Sequence, residues 1–336
     1  MNSTGKLARM AALCACGAAA QATTPALKRA ADGHPDLQGI WTSATLTRLE
    51  RPDEFGDRLV LTDAEVRKIE GTEADYVAAA AKPSDLNKAN PDCTRFQFGC
   101  GYNNFWIDRG SKVVTINGEK RSSLIIDPAN GKLPPLTDAR RKELAAVRRG
   151  RGDYDGPEAR PLSDRCLLAF GSSSGPPMLP VLYNNHYQIV QTADTVVILV
   201  EMVHDARVVR IGGKHLPSTM RKWMGDSIGH WEGDTLVVET TNFTTREGFR
   251  GATENAKITE RFTRTSADTI LYKFSVEDAA FTHSFSGEIP FYATGDKIYE
   301  YACHEGNYAL PGILAGAREA EKRGEAPRGA ERRDDE

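Results

Sequence analysis

The stretch that decides the fold opens VLYNNHYQIVQTADTVVILVEMVHDARVVRI (Val181–Ile211), crosses a connection bearing Gly and Lys, and closes GDSIGHWEGDTLVVETTNF (Gly225–Phe243). Apolar β-branched runs are longest here, and charged residues stand among them. Gln191-Thr-Ala-Asp-Thr195 has the composition of a hairpin turn with Ala193 and Asp194 at its tip. Pairing Thr192 with Thr195 sets His186 opposite Glu201 and Tyr183 opposite His204. Strand side chains alternate, so one face then carries Asn184, His186, Glu201, Val203, Asp205, Arg207 and Val209. The other carries Tyr183, Asn185, Tyr187, Val200, Met202, His204 and Val208. His204 and Asp205 point opposite ways and cannot form a dyad with each other.

Downstream the chain reads almost as a meander. The turns Ala193-Asp-Thr195, Gly233-Asp-Thr235 and Ala267-Asp-Thr269 repeat one formula, and Gly295-Asp-Lys297 is a fourth variant. Each precedes a β-rich run: VVILVEMV, LVVETTNF, ILYKFSVE and IYEYACHE. Asp bonds to backbone two residues on, and Thr starts a strand well. Hairpins recurring in this way predict an all-β fold with helical additions, an antiparallel up-and-down barrel or strongly curled sheet. A propeller fits less well, because the spacings shrink from one turn to the next.

Upstream, Asp36-Leu-Gln-Gly-Ile-Trp41 reads as the first strand. A Gly-x-Trp there occurs in lipocalin-like barrels, where the Trp plugs one end; a plain core Trp is the simpler reading. Leu61-Thr-Asp-Ala-Glu65 is a capping box that opens a helix over about 62–81, stopped by Pro83. Leu136-Thr-Asp-Ala opens a basic amphipathic helix over about 137–149. Between them lie an aromatic-rich loop from Cys93 to Trp106 and two strands, Val113–Ile116 and Ser122–Ile126, the second reached through an Asn117-Gly118 hairpin turn. Asp153 to Pro180 is loop, including Gly171-Ser-Ser-Ser-Gly-Pro-Pro177, which lacks the Lys-Ser/Thr of a phosphate loop. One domain spans 35–314; from Ala315 to 336 the chain is charged and reads as a short helix fraying into a disordered tail.

Lys and Arg number 43 against 46 Asp and Glu, so nothing draws the chain to nucleic acid. No apolar run approaches the ~20 residues of a membrane-spanning helix. At the start, Lys6 and Arg9 precede MAALCACGAAA, and Ala20-Gln21-Ala22 resembles a cleavage site, so residues 1–22 read as a signal peptide and the mature chain as periplasmic or secreted. Leu13-Cys-Ala-Cys16 loosely resembles a lipoprotein box, which would anchor the chain through Cys16. Cys93, Cys100, Cys166 and Cys303 remain, an even number that favours disulfides in an exported chain. Cys93 and Cys100 suit a local clip, which leaves Cys166 with Cys303. Zinc needs tighter clustering, and no cofactor or metal is expected.

Gly225-Asp-Ser-x-Gly-x-Trp-Glu-Gly-Asp-Thr-Leu-Val-Val238 with Thr241-Asn-Phe243 forms the most specific motif. Leu37-Gln-Gly-Ile-Trp41, Val203-His-Asp-x-Arg207 and Tyr301-x-Cys-His-Glu305 accompany it. Together they resemble a large group of exported, uncharacterised bacterial proteins that are loosely lipocalin-like. The resemblance covers most of the chain after residue 35. It implies export and a β-rich fold, and no activity.

Charges on strands otherwise built of Val, Ile and Leu must be paired or solvated, because burying them bare costs several kcal/mol. His186, Glu201, Asp205 and Arg207 are therefore either an ion-pair network (Asp205 with Arg207, Glu201 with His186) or the lining of a site. His204 with Tyr183, Asn185 and Tyr187 forms a second, more neutral patch. Cys303-His304-Glu305 ends the last strand and would add His304 and Glu305. Asp226 and Ser227 read as a tight turn rather than a nucleophile. The reading is a barrel that binds a small, partly apolar molecule in its cavity, with Arg207 suited to an anionic group on it. The alternative is a cofactor-independent lyase, isomerase or hydrolase using His204 or His186 as general acid/base with Asp205 and Arg207. A third class, an envelope interaction protein, would need a large exposed apolar patch.

Overall fold

The computed structural model describes residues 27–81, 107–149, 152–169, 175–180, 185–244 and 249–325. The leader with Cys16, the Cys93–Cys100 pairing and Tyr183 lie outside them. Nine strands close a barrel: β1 (Gly39–Thr42), β5 (His186–Gln191), β6 (Thr195–Val200), β7 (Ala206–Ile211), β8 (Asp226–Glu232), β9 (Thr235–Thr241), β10 (Lys257–Arg264), β11 (Thr269–Glu277) and β12 (Phe285–Ala293). Neighbours in sequence are neighbours in the barrel from β5 to β12, and β1 closes it by pairing with both β5 and β12. Outside the barrel, β2 (Thr115–Ile116) and β3 (Glu119–Lys120) form a hairpin, and β4 (Ile125–Asp127) adds to the edge of β12. Asn117 and Gly118 turn that hairpin with φ of 52° and 82°, the left-handed pair an Asn-Gly turn supplies without steric cost.

The three turns of the Ala/Gly-Asp-Thr formula each join an antiparallel pair: β5 to β6, β8 to β9 and β10 to β11. Period-two burial fills the inside. β6 buries Val196, Ile198 and Val200, β10 buries Ile258, Glu260 and Phe262, and β11 buries Ile270, Tyr272, Phe274 and Val276. The chain between the barrel strands adds a plug. Pro176 to Leu179 are buried, and the Met178 amide donates to the Tyr272 hydroxyl at 2.8 Å. The barrel interior is therefore filled by its own side chains rather than hollow.

One pair is parallel. β7 runs alongside β8 with Val209 opposite Ser227, so the sheet is mixed rather than wholly antiparallel. A parallel neighbour needs a crossover connection, and residues 212–225 supply it. Asp226 organises this segment. Its carboxylate accepts from the Leu216 amide at 2.9 Å and lies 2.9 Å from Arg210, 3.2 Å from His215 and 3.5 Å from Lys222. Asn242 Nδ2 donates to the Leu216 carbonyl at 2.8 Å, and the Asn242 carbonyl accepts from the Lys222 amide at 3.0 Å. Gly225 has φ 71°, and a Cβ there would stand 2.7 Å from the Thr241 carbonyl oxygen. The Gly225–Phe243 motif is thus the hardware of the crossover.

Two expectations are corrected. The run 195–209 is not one strand: it breaks at Met202–His204, a single 3-10 turn in which Val203 and His204 have φ of 61° and 54°. The run IYEYACHE is not a strand; residues 294–308 lie as an irregular strap, and α3 (Ala309–Lys322) follows, starting earlier and running further in ordered form than the charged composition suggests. Cys166 and Cys303 form a disulfide with Cα atoms 5.6 Å apart, tying the strap to the loop before the plug. α1 (Asp63–Ala80) opens on the Thr62/Glu65 capping box with both bonds present. α2 (Asp138–Arg149) docks through Arg140 Nε to the Gly251 carbonyl at 2.9 Å.

Candidate functional site

His186 begins β5, and Glu201 follows the last residue of β6, so the hairpin register places them face to face. The Glu201 amide donates to the His186 carbonyl at 3.1 Å, and His186 Nδ1 lies 2.8 Å from Glu201 Oε2. Glu201 is 2 % exposed; its Oε1 accepts from the Tyr299 amide of the strap at 3.1 Å. His186 Nε2 is 3.9 Å from Asp296 Oδ2. The hydrogen bond to Glu201 raises the His186 pKa against the opposing effect of burial, and the charges of Glu201, Asp108 and Asp296 raise it further. A carboxylate that holds one imidazole nitrogen leaves the other for a ligand.

That other nitrogen belongs to a cleft. A cavity of ≈ 510 Å³ is lined by His186, Asp296, Asp108, Thr42, Thr45, Thr115, Lys112, Lys120 and Tyr292, among others. Its walls come from the end of β1, the start of β5, the strap, the segment 108–113 and the β2–β3 hairpin. The volume lies in the range of small-molecule sites.

The other predicted residues part company. Because the strand breaks at 202–204, Arg207 pairs with Ile198 and shares the barrel interior with Tyr187 and Val200 rather than the face of His186. Its partner is Glu260, not Asp205: Nη1 to Oε1 is 3.0 Å and Nη2 to Oε2 is 2.6 Å, with both side chains fully buried. The Tyr272 hydroxyl donates to Glu260 Oε1 at 2.9 Å. Burial lowers the Arg207 pKa, but the Glu260 charge outweighs it and holds the guanidinium ionised. Burial also pushes the Tyr187 phenol up to about 12. This is the ion-pair reading of Arg207, with the partner corrected.

Asp205 instead lines a smaller cavity of ≈ 270 Å³ with Leu167, Leu168, Trp223 and Gly225, where β7 and the crossover diverge. His204 is exposed, its ring against the Tyr299 carbonyl at 3.2 Å and the Tyr301 amide at 3.1 Å, so it fastens the strap and does not meet Tyr187. Asn185 is buried beside the cleft, donating to the Asp108 carbonyl at 2.9 Å. His304 and Glu305 are exposed in the turn after Cys303. Sequence reasoning missed Asp296, Asp108, Lys120 and Glu260. Glu260 had a signal, since it shares parity with Ile258 and Phe262; Asp108 and Asp296 lie on irregular segments, and Lys120 on a two-residue strand too short for alternation to inform.

Among the described residues no group of three or more His, Cys, Asp or Glu is arranged to hold a metal ion, and no helix is long and apolar enough to cross a membrane. No protein-family model, curated protein or solved structure matches the chain.

Proposed function

We propose that this barrel is the scaffold of an exported small-molecule-binding protein whose ligand occupies the cleft beside His186 rather than the barrel interior. The observation that carries this reading is the His186–Glu201 pair opening onto a cavity of ≈ 510 Å³ with polar groups converging on it. The filled interior, closed by Arg207–Glu260 and the Met178 plug, argues against cargo inside the barrel. Export is supported by the leader-like residues 1–22 and by the Cys166–Cys303 disulfide, a bond that persists in oxidising compartments.

A second reading has its own support. Glu201 fixes the His186 ring and leaves Nε2 toward the cleft, the arrangement a general acid/base needs. In that case the bound molecule is a substrate, and His186 moves a proton at it.

Histidine NMR with a library of small polar compounds tests both. Binding in the cleft shifts the His186 ring resonances and leaves His230, exposed on β8, unmoved. His186→Gln should weaken such a ligand about tenfold, the worth of one charged hydrogen bond of ~1.4 kcal/mol. Under the second reading that variant still binds a substrate analogue but loses turnover. Compounds that bind without touching His186 would contradict the proposal.

A further inference from the structure

The charges around the cleft are unevenly neutralised. Lys112 is paired with Glu70 at 2.9 Å, and His186 with Glu201 at 2.8 Å. Lys120 Nζ donates to Thr115 Oγ1 at 2.8 Å and, among the described residues, forms no ion pair; Glu70 acts on it only at longer range. Two carboxylates line the same cleft, one on the segment before β2 and one on the strap. Asp108 Oδ1 accepts from the Gly110 amide at 3.0 Å, and Asp296 Oδ2 from the Thr294 hydroxyl at 2.9 Å. Neither pairs with a Lys or Arg among the described residues, and the imidazole 3.9 Å from Asp296 is already held by Glu201. Asn185 binds the Asp108 carbonyl, which keeps that carboxylate next to His186. The cleft is therefore lined by two carboxylates near His186, Asp108 on the segment before β2 and Asp296 on the strap, and by the ammonium of Lys120 on the β2–β3 hairpin, with Thr42, Thr45 and Thr115 also in its walls.

We propose that the ligand of this cleft is a small zwitterion, its ammonium between Asp108 and Asp296 and its carboxylate at Lys120 and Thr115. The inference rests on the reading of the cleft as a binding site and adds the ligand's chemical class. A simple anion would meet two carboxylates beside the one lysine not already in an ion pair, and a simple cation would leave Lys120 without a partner. Only a molecule with both charges answers the lysine and the carboxylates together, and like-charge contacts disfavour the rest. The Tyr292 ring in the wall suits the aliphatic part between the two charges.

The test uses the full chain with ω-amino acids of increasing length, each matched by the alkylamine and the alkanoate of the same length. Calorimetry gives affinity, and the His186 resonances report whether the cleft is the place of binding. One length should bind about tenfold more tightly than either single-charge analogue, a difference of ~1.4 kcal/mol. Lys120→Met should erase the advantage over the amine, and Asp108→Asn with Asp296→Asn should erase the advantage over the alkanoate. Should amines or alkanoates bind as well as the amino acids while shifting His186, the zwitterion is overturned and the cleft stands. Should no compound of the three series shift His186, the zwitterion falls; a cleft ligand found instead in the polar library would leave the binding site in place.

Discussion

Arg207 and Glu260 show what one buried charge demands of its neighbours. Each is held by the other, and Tyr272 donates to Glu260, in a barrel wall that is otherwise aliphatic and aromatic. Glu260→Gln should destabilise the fold by about 3–5 kcal/mol in denaturant unfolding, because it leaves a guanidinium buried without its counter-ion. Glu260→Leu combined with Arg207→Met should cost clearly less than the single change, since no charge is then stranded. A single and a double variant of equal stability would contradict this. At His186 the sign is set by a raised folded pKa. Its stabilising pair with Glu201 is fully present below the unfolded value of ~6.5 and is lost as pH rises through the folded one. The stability difference between the natural chain and His186→Gln should therefore shrink toward alkaline pH in unfolding titrations.

The crossover and the strap are the two elements that turn a meander into this molecule. Burial pushes the Asp226 carboxyl up, but the Leu216 amide, His215, Arg210 and Lys222 outweigh it and hold the group below the usual range. Its contribution is present above the unfolded value of ~3.9 and disappears as pH falls through the folded one. Asp226→Asn should cost about 1–3 kcal/mol at neutral pH, and the cost should vanish in strong acid. The strap depends on its tether. With Cys166→Ser and Cys303→Ser, a link closing a loop of sequence separation 137 is lost, at about 2–5 kcal/mol in thermal unfolding. Hydrogen exchange at the Tyr299 amide, which Glu201 accepts, should quicken more than at the Leu199 amide inside the β5–β6 ladder. Equal exchange at both would show that the strap does not need the disulfide.

For the molecule as a whole, local signals carried the architecture and long-range geometry carried the site. The Asp-Thr turns, the Asn117-Gly118 hairpin and the Thr62/Glu65 cap were readable because each is satisfied within a few residues. The same hairpin register put His186 against Glu201, a pair legible from counting alone. Counting failed at Val203 and His204, whose positive φ values turn the strand without any Gly to announce it, and with that turn Arg207 changed faces. No local pattern could supply Glu260 as the partner of Arg207, since 53 positions separate them in the chain. Nor could it bring Asp296 and the β2–β3 hairpin to the mouth of β5, which depends on barrel closure through β1 and β12. The central claim, that closure sets a Glu201-held His186 at a binding cleft, is tested most directly by following the His186 ring by NMR against pH in the natural chain and in Glu201→Gln. The account predicts titration above the ordinary ~6.5 in the natural chain and a clear fall in the variant. Titration at or below the ordinary value, or a variant that titrates unchanged, would contradict it.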